Sequence, residues 1–140
     1  KKKPLSTKIR YGICTIWFGW ETLLIAIFGF YLQFIIFVAT QAVGADRQRA
    51  MVGRFFRLCG QACVTLHPLW PFRGRGRLPK QPPRNCVVVC NHESLADPFL
   101  ISQLPWEMKW LTKIENMMIP FVGWLMYLAG DIPVRRGNRV

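Results

Sequence analysis

The N-terminal part of the chain carries its longest hydrophobic run. From Tyr11 to Gly44 the only formally charged residue is Glu21, and Thr22 to Ala45 contains none. About twenty apolar residues suffice for a helix to cross the hydrocarbon core of a bilayer. Aromatic residues near the start of the run suit a membrane interface, namely Tyr11, Trp17 and Trp20. The pattern predicts a membrane-embedded helix, with Glu21 at interface depth.

Three other interpretations of this run differ in strength. A soluble core helix is disfavoured, because the other residues, about a hundred, are too few to surround it. A cleaved signal peptide is disfavoured because the run is too long and no small-residue cleavage site follows it. A re-entrant hairpin turning near Gly29 or Gln33 stays open, since basic residues flank both ends and the positive-inside rule gives no orientation.

A second helical pattern extends from Ala50 to Leu66. Its hydrophobic positions lie broadly opposite Arg54 and Arg57, and they are Met51, Phe55, Leu58 and Ala62. Beside a membrane helix, this amphipathic pattern predicts an interfacial helix that ends at His67-Pro68. The Arg-, Gly- and Pro-rich stretch that follows predicts a linker, with a boundary near Asn85.

Alternating strand and helix signals follow the linker. The apolar run Cys86 to Cys90 predicts a buried β-strand, and Ile132 to Val134 predicts a second strand. Between them we expect a helix at about Pro98 to Gln103, a short segment at Lys109 to Leu111, and a core or membrane-resting helix within Met117 to Leu128. The predicted fold class is α/β, preceded by a membrane helix and an amphipathic helix. The predicted divisions are residues 1–46, 47–84 and 85–140.

The net charge of +12, from 19 basic and 7 acidic residues, indicates an anionic partner. Basic clusters beside a membrane segment attract anionic headgroups by about 1 kcal/mol per residue. Nucleic acid is the rival partner, but the Arg-rich stretch has no recognised nucleic-acid-binding motif and follows a membrane helix. We therefore predict membrane lipids, and not nucleic acid, as partners.

The candidate chemistry lies just after the first predicted strand. His92 and Asp97 are separated by four residues, and an uninterrupted helix would place them on different faces. Pro98 favours a turn there, with Asp97 as a helix N-cap. In such a turn the carboxylate accepts a hydrogen bond from one imidazole nitrogen and leaves the other as a base. Ser94 has no evident route to the imidazole, so we expect the substrate to supply the hydroxyl.

Metal binding is disfavoured, although Cys59, Cys63 and His67 recur at helical spacing and Cys86 and Cys90 repeat it. Zinc sites favour tighter Cys-x2-Cys knuckles, and all five cysteines of the chain have apolar neighbours. Buried free thiols are the better interpretation, and the odd number of cysteines argues against a disulfide framework.

Two sequence blocks resemble the membrane-bound glycerolipid acyltransferases typified by 1-acyl-glycerol-3-phosphate acyltransferase. Residues 91–97 (Asn-His-Glu-Ser-Leu-Ala-Asp) match the family's Asn-His-x4-Asp signature, and residues 130–136 (Gly-Asp-Ile-Pro-Val-Arg-Arg) are similar to its second block. The intervening residues 108–113 and 119–124 also look like family sequence. The resemblance covers about Cys86 to Arg139, and two correctly spaced blocks are more specific than one.

The resemblance implies transfer of a fatty acyl group from acyl-CoA or an acyl carrier protein to the hydroxyl of a lysophosphatidate-like acceptor. It implies His92 as general base, Asp97 as its orienting acid, Asn91 as a substrate-binding residue, and Arg135 or Arg136 as the phosphate ligand. The rival interpretation of the arginines is a solvated basic loop. No metal and no cofactor beyond the acyl donor is expected.

The family's third and fourth blocks would lie downstream of Val140, so we expect an active enzyme to need further sequence. The alternative is an accessory subunit of a larger membrane assembly, built on an inactive acyltransferase scaffold. This alternative is considered because a domain without those blocks would have an unpaired hydrophobic sheet edge, which another protein could cover. The expected location is the endoplasmic reticulum or another organelle membrane, and the sequence favours neither.

Overall fold

The computed structural model describes residues 5–67, 85–135 and 137, and its N-terminal part is a hairpin of two helices. Helix α1 (Leu5–Ala42) has 38 residues, which at 1.5 Å per residue makes it about 57 Å long. Helix α2 (Ala50–Thr65) returns along it. Glu21 of α1 contacts His67, just beyond α2, and a Cβ added at Gly29 would lie 3.0 Å from the Cys59 sulfur. The two helices are therefore antiparallel.

Helix α1 is continuous, so the alternative of a re-entrant turn near Gly29 or Gln33 is wrong. Gln33 is instead fully buried, and its side-chain amide donates a hydrogen bond of 3.0 Å to the Leu125 carbonyl. Thr7–Ala42 is long and apolar enough to cross a membrane by length and composition, and only 17% of its most apolar window is buried. The described structure therefore does not use α1 as a soluble core helix.

Asp46 determines where α2 begins. Its carboxylate accepts hydrogen bonds from the backbone N–H groups of Ala50, Met51 and Val52 at 2.6, 2.8 and 3.2 Å. The first N–H groups of a helix have no partner within it, and a carboxylate there also suits the helix dipole. The predicted helix from Ala50 is confirmed, and Asp46 ties its start to the preceding loop.

The predicted faces of α2 are wrong in one respect. Arg54 is exposed, but Arg57 is only 5% exposed and lies on the protein side of the helix. Conversely Met51 and Leu58, which belong to the predicted apolar face, are 57% and 50% exposed. Arg57 turns inward because its acidic partner, Asp131, comes from the far end of the chain. Helical periodicity carries no information about such a partner.

Within residues 85–135 the structure contains five short elements. They are α3 (Asp97–Ile101), β1 (Leu111–Lys113), α4 (Ile114–Met117), α5 (Val122–Ala129) and β2 (Ile132–Val134). Strands β1 and β2 are parallel, with Leu111 opposite Ile132. Helices α4 and α5 connect them, as parallel strands require a crossover. The predicted strand Ile132 to Val134 is confirmed, and the chain combines a long apolar helix with mixed helix and strand. The α/β class stays a prediction.

One predicted element is wrong. Residues 86–90 are neither strand nor helix, and Val87 and Val89 are 89% and 88% exposed. A strand needs a neighbour for its backbone and cover for its apolar side chains, and the described sheet consists of β1 and β2 only. The helix predicted within Met117 to Leu128 is confirmed as α5, although an interruption after α4 delays its start to Val122. Pro120 lies in that interruption and lacks an N–H, and Phe121 has a φ of 60°.

The core lies where α5 packs against both α1 and α2. On α5, Leu125 is 2% exposed and Ala129 is fully buried. On α2, Val52 and Val64 are buried. On α1, Phe30 contacts the rings of Phe121 and Trp124 with centroids 6.0 and 5.2 Å apart. These contacts cross the predicted divisions of the chain, which stay a prediction.

Candidate active site

His92 and Asp97 meet in the turn that precedes α3, as predicted. Nδ1 of His92 lies 3.0 Å from Oδ2 of Asp97. A carboxylate can only accept, so Nδ1 carries the proton and Nε2 presents its lone pair. The His92 side chain is 57% exposed, so Nε2 is accessible to a substrate. The pair has the geometry of an oriented general base.

The backbone of the turn holds Asp97 in place. Oδ2 of Asp97 also accepts hydrogen bonds from the N–H groups of Glu93 and Ser94, at 2.7 and 2.8 Å. The Ser94 hydroxyl accepts the N–H of Ala96 at 2.9 Å. Ser94 therefore closes the turn, in agreement with the expectation that it has no route to the imidazole.

The hydrogen bonds from Ser94 and Glu93 lower the pKa of Asp97 below its ordinary value, and His92 adds a smaller effect in the same direction. A carboxylate that accepts several N–H donors is stabilised in its charged form. Asp97 is thus ionised at neutral pH. It can stabilise the imidazolium that forms when His92 takes a proton.

The predicted N-cap role of Asp97 is wrong. Ala96 is the N-cap of α3, Asp97 is the first residue of the helix, and no side chain caps it. The carboxylate points back to the N–H groups of Glu93 and Ser94 instead. Oδ2 of Asp97 thus serves the turn that contains His92, and among the described residues no N–H of α3 donates a hydrogen bond to this carboxylate.

Two of the other predicted site residues, Asn91 and Arg135, lie among the described residues. Asn91 is exposed beside His92, and Arg135 is exposed directly after β2. No hydrogen bond or ion pair of the described residues connects Arg135 to His92 or Asp97. Arg136 lies outside the described residues. The structure therefore shows Arg135 at the predicted end of its strand, with its guanidinium available for a ligand.

A buried ion pair was missed by the sequence reasoning. Nη2 of Arg57 lies 2.5 Å from Oδ1 of Asp131, with the two side chains 6% and 1% exposed. The guanidinium lies 4.6 Å from the Trp110 ring centroid, and Oδ1 accepts the Trp110 N–H at 3.0 Å. Burial lowers the pKa of Arg57 despite the opposing effect of Asp131. The only sequence signal was the acidic residue Asp131 within the second motif block.

Lys109 forms a second cluster nearby. Its ammonium group donates to Oε1 of Glu107 at 2.7 Å and to the carbonyls of Arg49 and Ala129 at 2.9 and 2.7 Å. Burial raises the pKa of Glu107, and Lys109 opposes this shift. The cluster links the start of α2 to the end of α5.

His67 contacts Glu21. Its Nδ1 lies 3.1 Å from Oε2 of Glu21, and its ring meets Phe18 edge-on. Burial raises the pKa of Cys59 and Cys63 to about 11, so both are protonated thiols at neutral pH. Among residues 5–67, 85–135 and 137, no group of three or more metal-ligating side chains is present.

Comparison with known proteins gives a partial match. Residues 72–140 match the family described as Acyltransferase. A 1-acyl-sn-glycerol-3-phosphate acyltransferase of Chlamydomonas reinhardtii is 34% identical over 80 residues, which are 56% of this chain and 24% of that protein. A chloroplastic protein of the same name from Brassica napus is 30% identical over 77 residues, 54% of this chain and 22% of its own length.

A third similar protein, the chloroplastic 1-acyl-sn-glycerol-3-phosphate acyltransferase of Arabidopsis thaliana, is 29% identical over 77 residues. These residues are 54% of this chain and 21% of that protein. The matched segment thus covers less than a quarter of the length of each of these relatives. No solved structure matches the chain.

Proposed function

We propose, because residues 72–140 belong to the Acyltransferase family, that the full protein transfers a fatty acyl group to a glycerolipid acceptor during lipid synthesis. The resemblance to glycerolipid acyltransferases is confirmed. The names of the relatives favour 1-acyl-glycerol-3-phosphate as the acceptor. The observation that carries the proposal is the contact between His92 and Asp97 in an exposed turn.

His92 acts on the acceptor hydroxyl in this proposal. Nε2 takes the hydroxyl proton while the oxygen attacks the carbonyl carbon of an acyl thioester, which is acyl-CoA or an acyl carrier protein. The new C–O bond forms, the C–S bond breaks, and the imidazolium returns its proton to the departing thiolate. Asp97 keeps the productive tautomer and stabilises the imidazolium. The thioester is itself activated, so the proposal includes no metal and no further cofactor.

Arg135 is the proposed ligand of the acceptor phosphate. Its guanidinium is exposed at the end of β2, and an arginine can bind two phosphate oxygens in parallel. Arg136, the other candidate, lies outside the described residues. Asn91 stays a candidate substrate ligand because it is exposed beside His92.

Membrane association supports an acceptor with a fatty acyl tail. Large apolar side chains are exposed along α1, including Ile16, Trp20, Phe28 and Ile35. Exposure of this apolar surface to water is unfavourable, whereas the hydrocarbon of a lipid bilayer would cover it. The relatives from Brassica napus and Arabidopsis thaliana are named as chloroplastic, which favours an organelle membrane.

The proposal is tested with His92→Ala in the full-length protein. Transfer of a labelled acyl group from acyl-CoA to lysophosphatidate should fall by about 10²- to 10⁴-fold, the range for loss of a general base. Glu93→Ala is the matched control, because it changes the exposed neighbour and keeps the backbone N–H that Asp97 accepts. Circular dichroism should show both variants folded.

The same assay tests the alternative of an accessory subunit in a larger membrane assembly. If the protein is such a subunit, the His92→Ala variant should still assemble normally, and the purified wild-type protein should show no acyl transfer. Near wild-type acyl transfer by His92→Ala would contradict the role of His92 as base.

A further inference from the structure

The inner face of α2 contacts both halves of the proposed site. Arg57 and Gln61 are four residues apart on this helix and therefore lie on one face, a single turn from each other. Arg57 binds Asp131, the residue before β2. Gln61 binds the carbonyl of Ser102, the residue after α3.

The catalytic half is attached through α3. The Gln61 side-chain amide donates to the Ser102 carbonyl at 2.6 Å, and the Gln103 amide donates back to the Gln61 carbonyl at 3.4 Å. A Cβ added at Gly60 would lie 2.7 Å from the Ser102 hydroxyl oxygen, so only glycine permits this approach without a shift. Because α3 begins at Asp97, these contacts position the orienting carboxylate.

The catalytic turn itself has little other support in the described structure. Residues 85–95 are exposed. Beyond α2, α3 reaches α1 through Phe99, whose ring meets Phe18 with centroids 5.2 Å apart. The position of the turn that contains His92 therefore depends on the contacts of α3 with the helical hairpin.

The acceptor half is attached through Asp131. The carboxylate that binds Arg57 also accepts the Trp110 N–H, and the Trp110 carbonyl accepts the Ile132 N–H at 2.7 Å. These bonds hold the beginnings of both strands together and fix the register of Leu111 opposite Ile132. Strand β2 has three residues, so a fixed beginning also fixes the position of Arg135 at its end.

We propose that α2 sets the spacing between the catalytic pair and the phosphate-binding arginine, with Gln61 and Arg57 as positioning residues. This inference rests on the proposed acyl transfer. The acceptor must present its hydroxyl to His92 while its phosphate binds Arg135, so the reaction depends on the distance between the two groups. A displacement of about 1 Å can cost about 100-fold in rate.

The test compares Gln61→Met and Arg57→Gln in the full-length protein. Gln61→Met keeps the side-chain length without a donor, and we expect kcat to fall about 10- to 100-fold with little change in the acceptor KM. For Arg57→Gln we expect mainly a higher acceptor KM, as for loss of Arg135 itself. The KM for acyl-CoA should change little in either variant.

Arg54→Gln is the matched control, because Arg54 lies three residues from Arg57 and is exposed. It should leave both kinetic constants near the wild-type values. Asp131→Asn is the milder second variant if Arg57→Gln does not fold, since it removes the charge and keeps an acceptor for the Trp110 N–H. It should raise the acceptor KM in the same direction.

Amide hydrogen exchange provides a readout independent of activity. Gln61→Met should increase amide exchange within residues 97–103 and leave residues 131–134 unchanged. Arg57→Gln should increase exchange within residues 131–134 and leave residues 97–103 unchanged. Local opening without the kinetic changes, in an active enzyme, would overturn the positioning role. An inactive wild type would contradict the proposed function. Exchange would then still decide the structural part, supporting it if each variant opens its own segment and overturning it if neither does.

Discussion

At the scale of single residues, Asp97 shows how a short turn fixes a carboxylate against an imidazole. Its negative charge is stabilised mainly by two backbone N–H groups and to a smaller extent by His92. The backbone therefore positions the carboxylate whether or not the imidazole is present. The position of the carboxylate thus depends on the backbone hydrogen bonds, whereas the proposed base chemistry depends on the contact with His92.

We predict that the pKa of Asp97 stays below the ordinary 3.8 in His92→Ala, because the bonds from Ser94 and Glu93 persist. Carboxyl carbon NMR of selectively labelled protein measures it. A carboxyl group with a lowered native pKa stabilises the fold above its unfolded pKa. That contribution is lost as the pH falls below 3.8 through the native pKa. Return of the pKa to 3.8 in the variant would assign the shift to His92 instead.

At the scale of elements, glycines determine how closely the short segments pack. Gly123 near the start of α5 faces the carbonyl of Met117 at the end of α4 so closely that an added Cβ would collide with it. The interruption at Pro120 folds α4 back onto α5, and this approach needs a residue without a side chain. By contrast, a Cβ at Gly19 of α1 would meet nothing within 4 Å.

Gly123→Ala should therefore destabilise the protein by about 1–3 kcal/mol, the range for overpacking a filled site. Gly19→Ala is the matched control and should be neutral or stabilising by up to about 1 kcal/mol, because alanine favours a helix. Thermal unfolding in detergent micelles measures both. Equal stability of the two variants would contradict the close contact between α4 and α5.

At the scale of the whole molecule, the helical hairpin joins the exposed apolar surface of α1 to the proposed site. One surface of α1 presents large apolar side chains outward, while Ala26, Gln33 and Thr40 are buried on the protein side. Helix α2 then links that helix to α3 and β2. We expect the proposed site to be held close to the surface from which a lipid acceptor would come.

We predict that the double variant Phe28→Lys and Ile35→Lys loses its membrane attachment. Each position is exposed on α1, at 71% and 62%, and a lysine at the centre of a membrane helix costs about 2.5–3.5 kcal/mol. The protein fraction that resists alkaline extraction from membranes measures the effect. Val43→Lys is the control, since Val43 lies just beyond α1. A double variant retained like the wild type would contradict insertion of α1.

Local patterns of the sequence were sufficient for the elements and contacts that depend on neighbouring residues. The apolar run predicted α1, helical periodicity predicted α2, and the spacing of His92 and Asp97 predicted their contact, because each depends on residues close along the chain. The strand Ile132 to Val134 and the position of Arg135 after it were predicted for the same reason.

The tertiary structure alone decided what distant residues do to one another. The inward orientation of Arg57 depends on Asp131, 74 residues away, and the burial of Gln33 depends on Leu125, 92 residues away. The apolar run Cys86 to Cys90 predicted a buried strand, yet burial requires neighbouring elements that the run does not itself specify. The sequence by itself determined the contact between His92 and Asp97, and packing against α2 determined where that pair is held.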